Sequence, residues 1–102
     1  MFYLNVILQA TDGGKITSIR TALEKMIPLS LKDEGCERYE IYHSSDEIGT
    51  FILVEQWASK LLWQKHLEGA AVRIYKEEVL PHVEREVHIC QKLTEPAPKP
   101  KK

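Results

Sequence analysis

Two segments of this sequence read as β-strands, in which successive side chains point to opposite faces, and both segments have apolar residues on both faces. This feature restricts the possible folds more than any other. In residues 2–10, Tyr3 and Ile7 fall opposite the main apolar face, and in residues 50–57 the run Phe-Ile-Leu-Val leaves neither face polar. Helices covering one side of a sheet would leave the second apolar face exposed, which monomers normally avoid. We therefore expect a homodimer that pairs the two open sheet faces across a two-fold axis.

The remaining patterns complete an α+β domain. Strands are predicted at residues 2–10, 36–43, 50–57 and 83–93, and helices at residues 15–31 and 59–80. Pro28 should kink or end the first helix, and Gly69 should interrupt the second. The order β-α-β-β-α-β predicts a ferredoxin-like fold, an antiparallel sheet with helices on one face. We expect residues 1–93 to form this domain and the proline- and lysine-rich residues 94–102 to be a disordered tail.

Composition excludes several classes of protein. A chain of 102 residues with 43% hydrophobic residues suits one folded core. Fifteen acidic against 14 basic residues give no basic patch for nucleic acid, and no apolar run reaches the roughly 18 residues of a membrane span. Cys36 and Cys90 have no metal-ligand or CxxC spacing, so we expect free thiols, no metal and a reducing compartment. The N-terminal residues lack a signal-peptide pattern, which favours the cytoplasm.

An ordered set of short motifs carries a resemblance to a known family. A Gly-Cys-x-x-Tyr strand is followed by Phe-x-x-x-Glu-x-Trp and then by a helix with His-Leu near its end; the matching residues are Gly35, Cys36, Tyr39, Phe51, Glu55, Trp57, His66 and Leu67. This order resembles the antibiotic biosynthesis monooxygenase (ABM) domain over about residues 2 to 93. The resemblance implies a dimeric α+β barrel with one pocket per subunit, between the helices and the sheet. It also implies one of several activities, among them cofactor-free oxygenation of quinols and aromatic polyketides, haem degradation and isomerisation.

The residues can be matched to oxygenation without a cofactor. Such a reaction needs an electron-rich phenol or enol, a base that removes its proton and a group that stabilises the developing oxyanion. His66 is the candidate base because histidine titrates near working pH, and Asn5 or Gln9 would hydrogen-bond the oxyanion. The residues predicted to wall the substrate pocket are Tyr39, Glu55, Trp57, Trp63 and Tyr75.

Each of these residues also has a purely structural interpretation. His66 could be a hydrogen-bonded core histidine, and Trp57 and Trp63 could belong to the core. The amide of Asn5 could find its partners within the protein. Glu55, among apolar neighbours, is predicted to orient an adjacent group.

The alternative activities fit the sequence less well. The haem-degrading branch of the family uses a first-strand Asn, a helix Trp and a His ten positions later; His66 and Lys76 stand at the last two positions, and the Asn position falls near Val6 or Ile7. An isomerase acting on a phosphorylated compound would need a cationic pocket, which the sequence does not predict. We therefore expect a monooxygenase that oxidises a quinol-like or polyphenolic molecule with O₂. The alternative is a non-catalytic barrel that binds a small hydrophobic ligand or serves in a stress response.

Overall fold

The alternating segments form strands where the sequence predicts them, and the strands make one antiparallel sheet. The computed structural model describes residues 1–94. Its strands are β1 (Phe2–Ala10), β2 (Cys36–His43), β3 (Thr50–Trp57) and β4 (Val83–Cys90). The order across the sheet is β2-β3-β1-β4. The ferredoxin-like α+β fold is thereby confirmed, whereas the predicted tail lies, apart from Thr94, outside the described residues.

Within residues 1–94, three α-helices pack on one face of this sheet. They are α1 (Ile16–Leu31), α2 (Lys60–His66) and α3 (Ala70–Ile74), and α3 continues through a π-helical turn (Tyr75–Val79) and a 3₁₀ turn (Leu80–His82). The hydroxyl of Ser59 accepts a hydrogen bond from the backbone N–H of Leu62 (3.2 Å), which starts α2 at the predicted residue. No helix within residues 1–94 is long and apolar enough to cross a membrane.

Pro28 does not end α1, and two other elements differ from the predicted ones. Helix α1 continues past Pro28 to Leu31, because Pro28 is exposed and water can satisfy the carbonyl that its missing N–H leaves free. The helix after Gly69 changes to a π-helical turn, which keeps both Tyr75 and Val79 buried. Strand β4 ends at Cys90 and is shorter than the predicted strand over residues 83–93.

The core lies between the helices and the alternate residues of the two central strands. Leu4, Val6 and Leu8 of β1 are almost fully buried there, as are Phe51 and Leu53 of β3. Strand β4 follows the same alternation, since Val87 pairs with Val6 and Ile89 with Leu4.

These two β4 side chains face the helix side but remain 46% and 62% exposed, because β4 forms an edge of the sheet. Space is therefore left open beside β4 on the helix side.

No helix of residues 1–94 lies on the other face of the sheet. Tyr3, Ile7 and Val54 are half-buried on it, Ile52 is 37% exposed and Tyr42 is 51% exposed. The central strands thus have apolar side chains on both faces, and the second face is open.

Candidate active site

A cavity of about 450 Å³ lies between the helices and the core face of the sheet. Its volume is within the range of sites for small organic ligands. The sheet contributes Leu4, Val6 and Leu53, and the helices contribute Met26 and Val72 among others. The cavity is therefore predominantly apolar, and only a few polar groups line it.

The first of these polar groups is the carboxyl of Glu55. Glu55 follows the core-facing alternation of β3, so its side chain enters the cavity wall and is only 5% exposed. The indole Nε1–H of Trp57 donates a hydrogen bond to Oε1 (2.9 Å). Burial raises the pKa of Glu55 from 4.5 to about 7, and the Trp57 hydrogen bond opposes that rise only in part. Near neutral pH this carboxyl can therefore donate or accept a proton.

The second polar group is an Asp–His pair. Nδ1 of His66 lies 2.7 Å from Oδ2 of Asp33, and the His66 side chain is 3% exposed while that of Asp33 is 32% exposed. A carboxylate partner at Nδ1 holds that nitrogen as the N–H donor and leaves Nε2 as the acceptor. Since His66 lines the cavity, Nε2 is the nitrogen available to a ligand.

Two aromatic rings hold the imidazole in place. The ring centroid of Trp57 lies 4.5 Å from that of His66, and the ring of Tyr39 lies 6.0 Å away. Trp57 is completely buried and lies behind the cavity wall. It therefore contacts both proton-carrying groups, His66 through its ring and Glu55 through its N–H.

The turn before β2 brings Asp33 to the end of α2. Gly35 has a φ of +83°, a conformation that side chains rarely adopt, and a Cβ atom there would come within 2.4 Å of Leu62 Cδ1. The backbone N–H of Ala58 donates to the carbonyl of Gly35 (2.7 Å). This close approach of the turn and α2 sets Asp33 against His66.

The tyrosines that line the cavity, Tyr39 and Tyr75, both have raised pKa values because they are buried. Tyr39 is 4% exposed, and burial together with nearby Glu55 raises its pKa. Tyr75 lies at the start of the π-helical turn, and its hydroxyl accepts a long hydrogen bond from Nη1 of Arg85 (3.5 Å). Burial raises the pKa of Tyr75 as well, and Arg85 opposes that rise.

Two cations also line the cavity, namely Lys76 and Arg85. The sequence did not predict a cationic group there, because the lysines and arginines of the first helix fall on its exposed side. Arg85 reaches the cavity because it pairs with Leu8 and shares the helix side of the sheet. Lys76 follows Tyr75 in the π-helical turn.

Most of the predicted site residues are brought together. His66, Tyr39, Glu55, Trp63 and Tyr75 all line the one cavity. Trp57 does not line the cavity; it lies behind the wall and donates a hydrogen bond to Glu55.

Asn5 is not part of this cavity. It belongs to the opposite face of the sheet, beside Tyr3 and Val54, and its Nδ2 donates to Sγ of Cys90 (3.4 Å). Strand alternation explains the separation, because the neighbours of Asn5 in sequence, Leu4 and Val6, are the residues that face the helices. The structure therefore does not bring Asn5 together with His66.

Comparison with known proteins identifies the family. The family model for antibiotic biosynthesis monooxygenases matches residues 1–78. The chain belongs to this family. Membership supports a monooxygenase at the level of the family and names no substrate. No curated protein matches the chain.

Several solved structures share the fold. A Mycobacterium tuberculosis protein, Rv0793, is 20% identical with a TM-score of 0.82, over 95% of this chain and 100% of that one. A candidate antibiotic biosynthesis monooxygenase from Nitrosomonas europaea is 20% identical with a TM-score of 0.80, over 91% of both chains. A Bacteroides thetaiotaomicron protein described as a possible oxidoreductase is 22% identical with a TM-score of 0.80, over 87% of this chain and 94% of that one.

Proposed function

We propose that this ABM protein is a cofactor-free monooxygenase that oxidises a quinol-like or polyphenolic molecule with O₂. The observation that carries the proposal is that two buried proton-carrying groups, Glu55 and His66 with its partner Asp33, line one apolar cavity through Glu55 and His66. The apolar walls suit a planar aromatic substrate, and the polar groups suit the removal and return of a proton.

The first step assigned to the site is ionisation of the substrate. Nε2 of His66 takes the hydroxyl proton of a phenol or enol, and the carboxylate of Asp33 stabilises the imidazolium that forms. Because the His66 side chain is only 3% exposed, water screens this electrostatic stabilisation less than it would at the surface. The resulting anion is electron-rich enough to reduce O₂ directly.

The oxygen step balances without a metal or flavin. The substrate anion gives one electron to O₂, and the substrate radical and superoxide combine to form a carbon–oxygen bond. The peroxide so formed takes a proton from imidazolium or from protonated Glu55. The carboxylate of Glu55 or neutral His66 then removes the hydrogen of the oxygenated carbon as the O–O bond breaks, which leaves one oxygen as a carbonyl on the substrate. The other oxygen leaves as water, with the proton first taken from the substrate hydroxyl and the proton taken from the carbon. Glu55 thereby takes the role in oxyanion stabilisation that the sequence predicted for Asn5.

We also propose that the protein works as a homodimer through the open face of the sheet. The half-buried apolar residues Tyr3, Ile7 and Val54, with the more exposed Ile52 and Tyr42, support this arrangement. A second copy would remove these side chains from water and would leave the helix-side cavity of each subunit accessible.

The test is O₂ uptake by chelator-treated protein with a panel of hydroquinones and anthrone-type phenols, corrected for autoxidation. We expect protein-dependent uptake that falls at least about tenfold in His66→Ala. His82→Ala is the matched control, because His82 does not line the cavity, and it should retain the wild-type rate. Absence of uptake across the panel, or equal rates in His66→Ala and wild type, would contradict the proposal. Binding without uptake would instead indicate a non-catalytic ligand-binding barrel.

A further inference from the structure

The cavity has a cationic end that the proton-transfer chemistry described above does not use. Arg85 and Lys76 both line it, and neither forms an ion pair with a carboxylate of residues 1–94. Other cations of residues 1–94, such as Lys60 and Arg73, also have no ion pair, so the distinguishing feature of Arg85 and Lys76 is that these two exposed side chains line the cavity. Cations that line an apolar cavity and have no ion-pair partner are suited to an anionic ligand.

Tyr75 holds Arg85 at this end of the cavity. Besides the hydrogen bond to the Tyr75 hydroxyl, the guanidinium carbon of Arg85 lies 5.9 Å from the centre of the Tyr75 ring. A guanidinium set against an aromatic ring keeps donors free for a carboxylate, which it can bind in bidentate fashion. Lys76, next to Tyr75 in the chain, adds a second positive charge.

Strand register places this cationic end away from the proton-carrying groups. Glu55 pairs with Leu4, whereas Arg85 pairs with Leu8, four residues farther along β1. Four residues of strand span about 13 Å, and β3 and β4 lie two strand spacings apart, or about 10 Å. The Cα atoms of Glu55 and Arg85 are therefore about 16 Å apart. A ligand could place one group against His66 and Glu55 and another, at its far end, against Arg85 and Lys76.

We propose that the substrate is a multi-ring phenol that carries an oxyanion group, such as a carboxylate, at the end opposite its reactive hydroxyl, and that Arg85 and Lys76 bind this group. The inference rests on the proposed function for the reactive end, but the cationic end can be tested by binding alone. It also corrects the expectation that this cavity lacks positive charge.

The probes are 6-hydroxy-2-naphthoic acid and its neutral amide, with affinities measured by calorimetry. We expect the wild-type protein to bind the acid at least about tenfold more tightly than the amide. Raising NaCl from about 50 mM to about 300 mM should weaken binding of the acid and leave that of the amide nearly unchanged. Arg85→Gln and the double variant with Lys76→Gln should lose the preference for the acid while still binding the amide. Arg73→Gln is the matched control, since Arg73 does not line the cavity, and it should keep the preference.

Equal affinity for acid and amide in the wild type, or an unchanged preference in the double variant, would overturn the proposal. Its failure is distinguishable from failure of the proposed function. Carboxylated phenols that bind through Arg85 but consume no O₂ would leave anion recognition standing and remove the oxygenase. Oxidation of neutral hydroquinones with no preference for an anionic group would do the reverse.

Discussion

Replacing Glu55 by Gln should make the protein more stable at alkaline pH, and the size of the effect follows from the burial of this carboxyl. A glutamine keeps an oxygen acceptor for Trp57 but carries no charge to be buried. The pKa of Glu55 is raised from 4.5 to about 7 in the fold, so the folded state prefers the protonated form. The wild-type protein is therefore fully stabilised below about pH 4.5 and loses this contribution as the pH rises through 7. Relative to the fully protonated state, the raised pKa of Glu55 lowers the unfolding free energy of the wild type by about 3 kcal/mol at pH 8 and by about 1 kcal/mol at pH 5.

Urea unfolding followed by tryptophan fluorescence measures this linkage at pH 5, 6, 7 and 8. The unfolding free energy of Glu55→Gln minus that of the wild type should increase by about 2 kcal/mol between pH 5 and pH 8. Glu68→Gln, a change at an exposed carboxylate, should show no such trend. A difference between Glu55→Gln and wild type that is constant with pH would refute the assignment of a buried, proton-exchanging carboxyl.

Three further results are expected. Gly35→Ala should lower the unfolding free energy by about 2 to 4 kcal/mol, because residue 35 has a positive φ and the added Cβ atom would collide with Leu62. Gly13→Ala is the control and should be nearly neutral, since no atom lies near the position of its Cβ. Equal stability of the two variants in urea would contradict this reasoning. Asp33→Asn should lower kcat for O₂ uptake about tenfold or more with KM within about twofold, and an unchanged kcat would remove Asp33 from the mechanism. Light scattering at micromolar concentration should give about twice the 11.8 kDa chain mass, and a monomer would refute the open-face dimer.

Local sequence patterns predict the sheet well because strand alternation depends on neighbouring residues. The bounds of β1, β2 and β3 agree with the predicted ones, and the apolar residues on both faces of β1 are present as expected. The end of β4 and the change from α-helix to π-helical turn after Ile74 were not predicted. Both features depend on how residues 75–90 pack against the rest of the domain, which the local periodicity of the sequence does not encode.

The candidate site could be predicted only in part, because contacts distant in sequence complete it. His66 and Glu55 were predicted from their motif positions, and both line the cavity. Asp33, in contrast, lies 33 residues before His66 in the sequence. The only local signal of the tight turn beside it was Gly35, whose φ of +83° favours glycine over other residues. Asn5 was assigned to the site because of its residue type. The alternation of β1 puts Asn5 on the sheet face opposite that of Leu4, away from His66.

The central claim is that one atom of O₂ enters a phenolic substrate bound beside His66. Turnover under ¹⁸O₂ with mass spectrometry of the product tests it most directly, using the best substrate of the uptake panel. The account predicts one labelled oxygen per product molecule, labelled water as the second product, and loss of both in His66→Ala. Product without label, or reduction of O₂ to hydrogen peroxide with an unlabelled product, would contradict it.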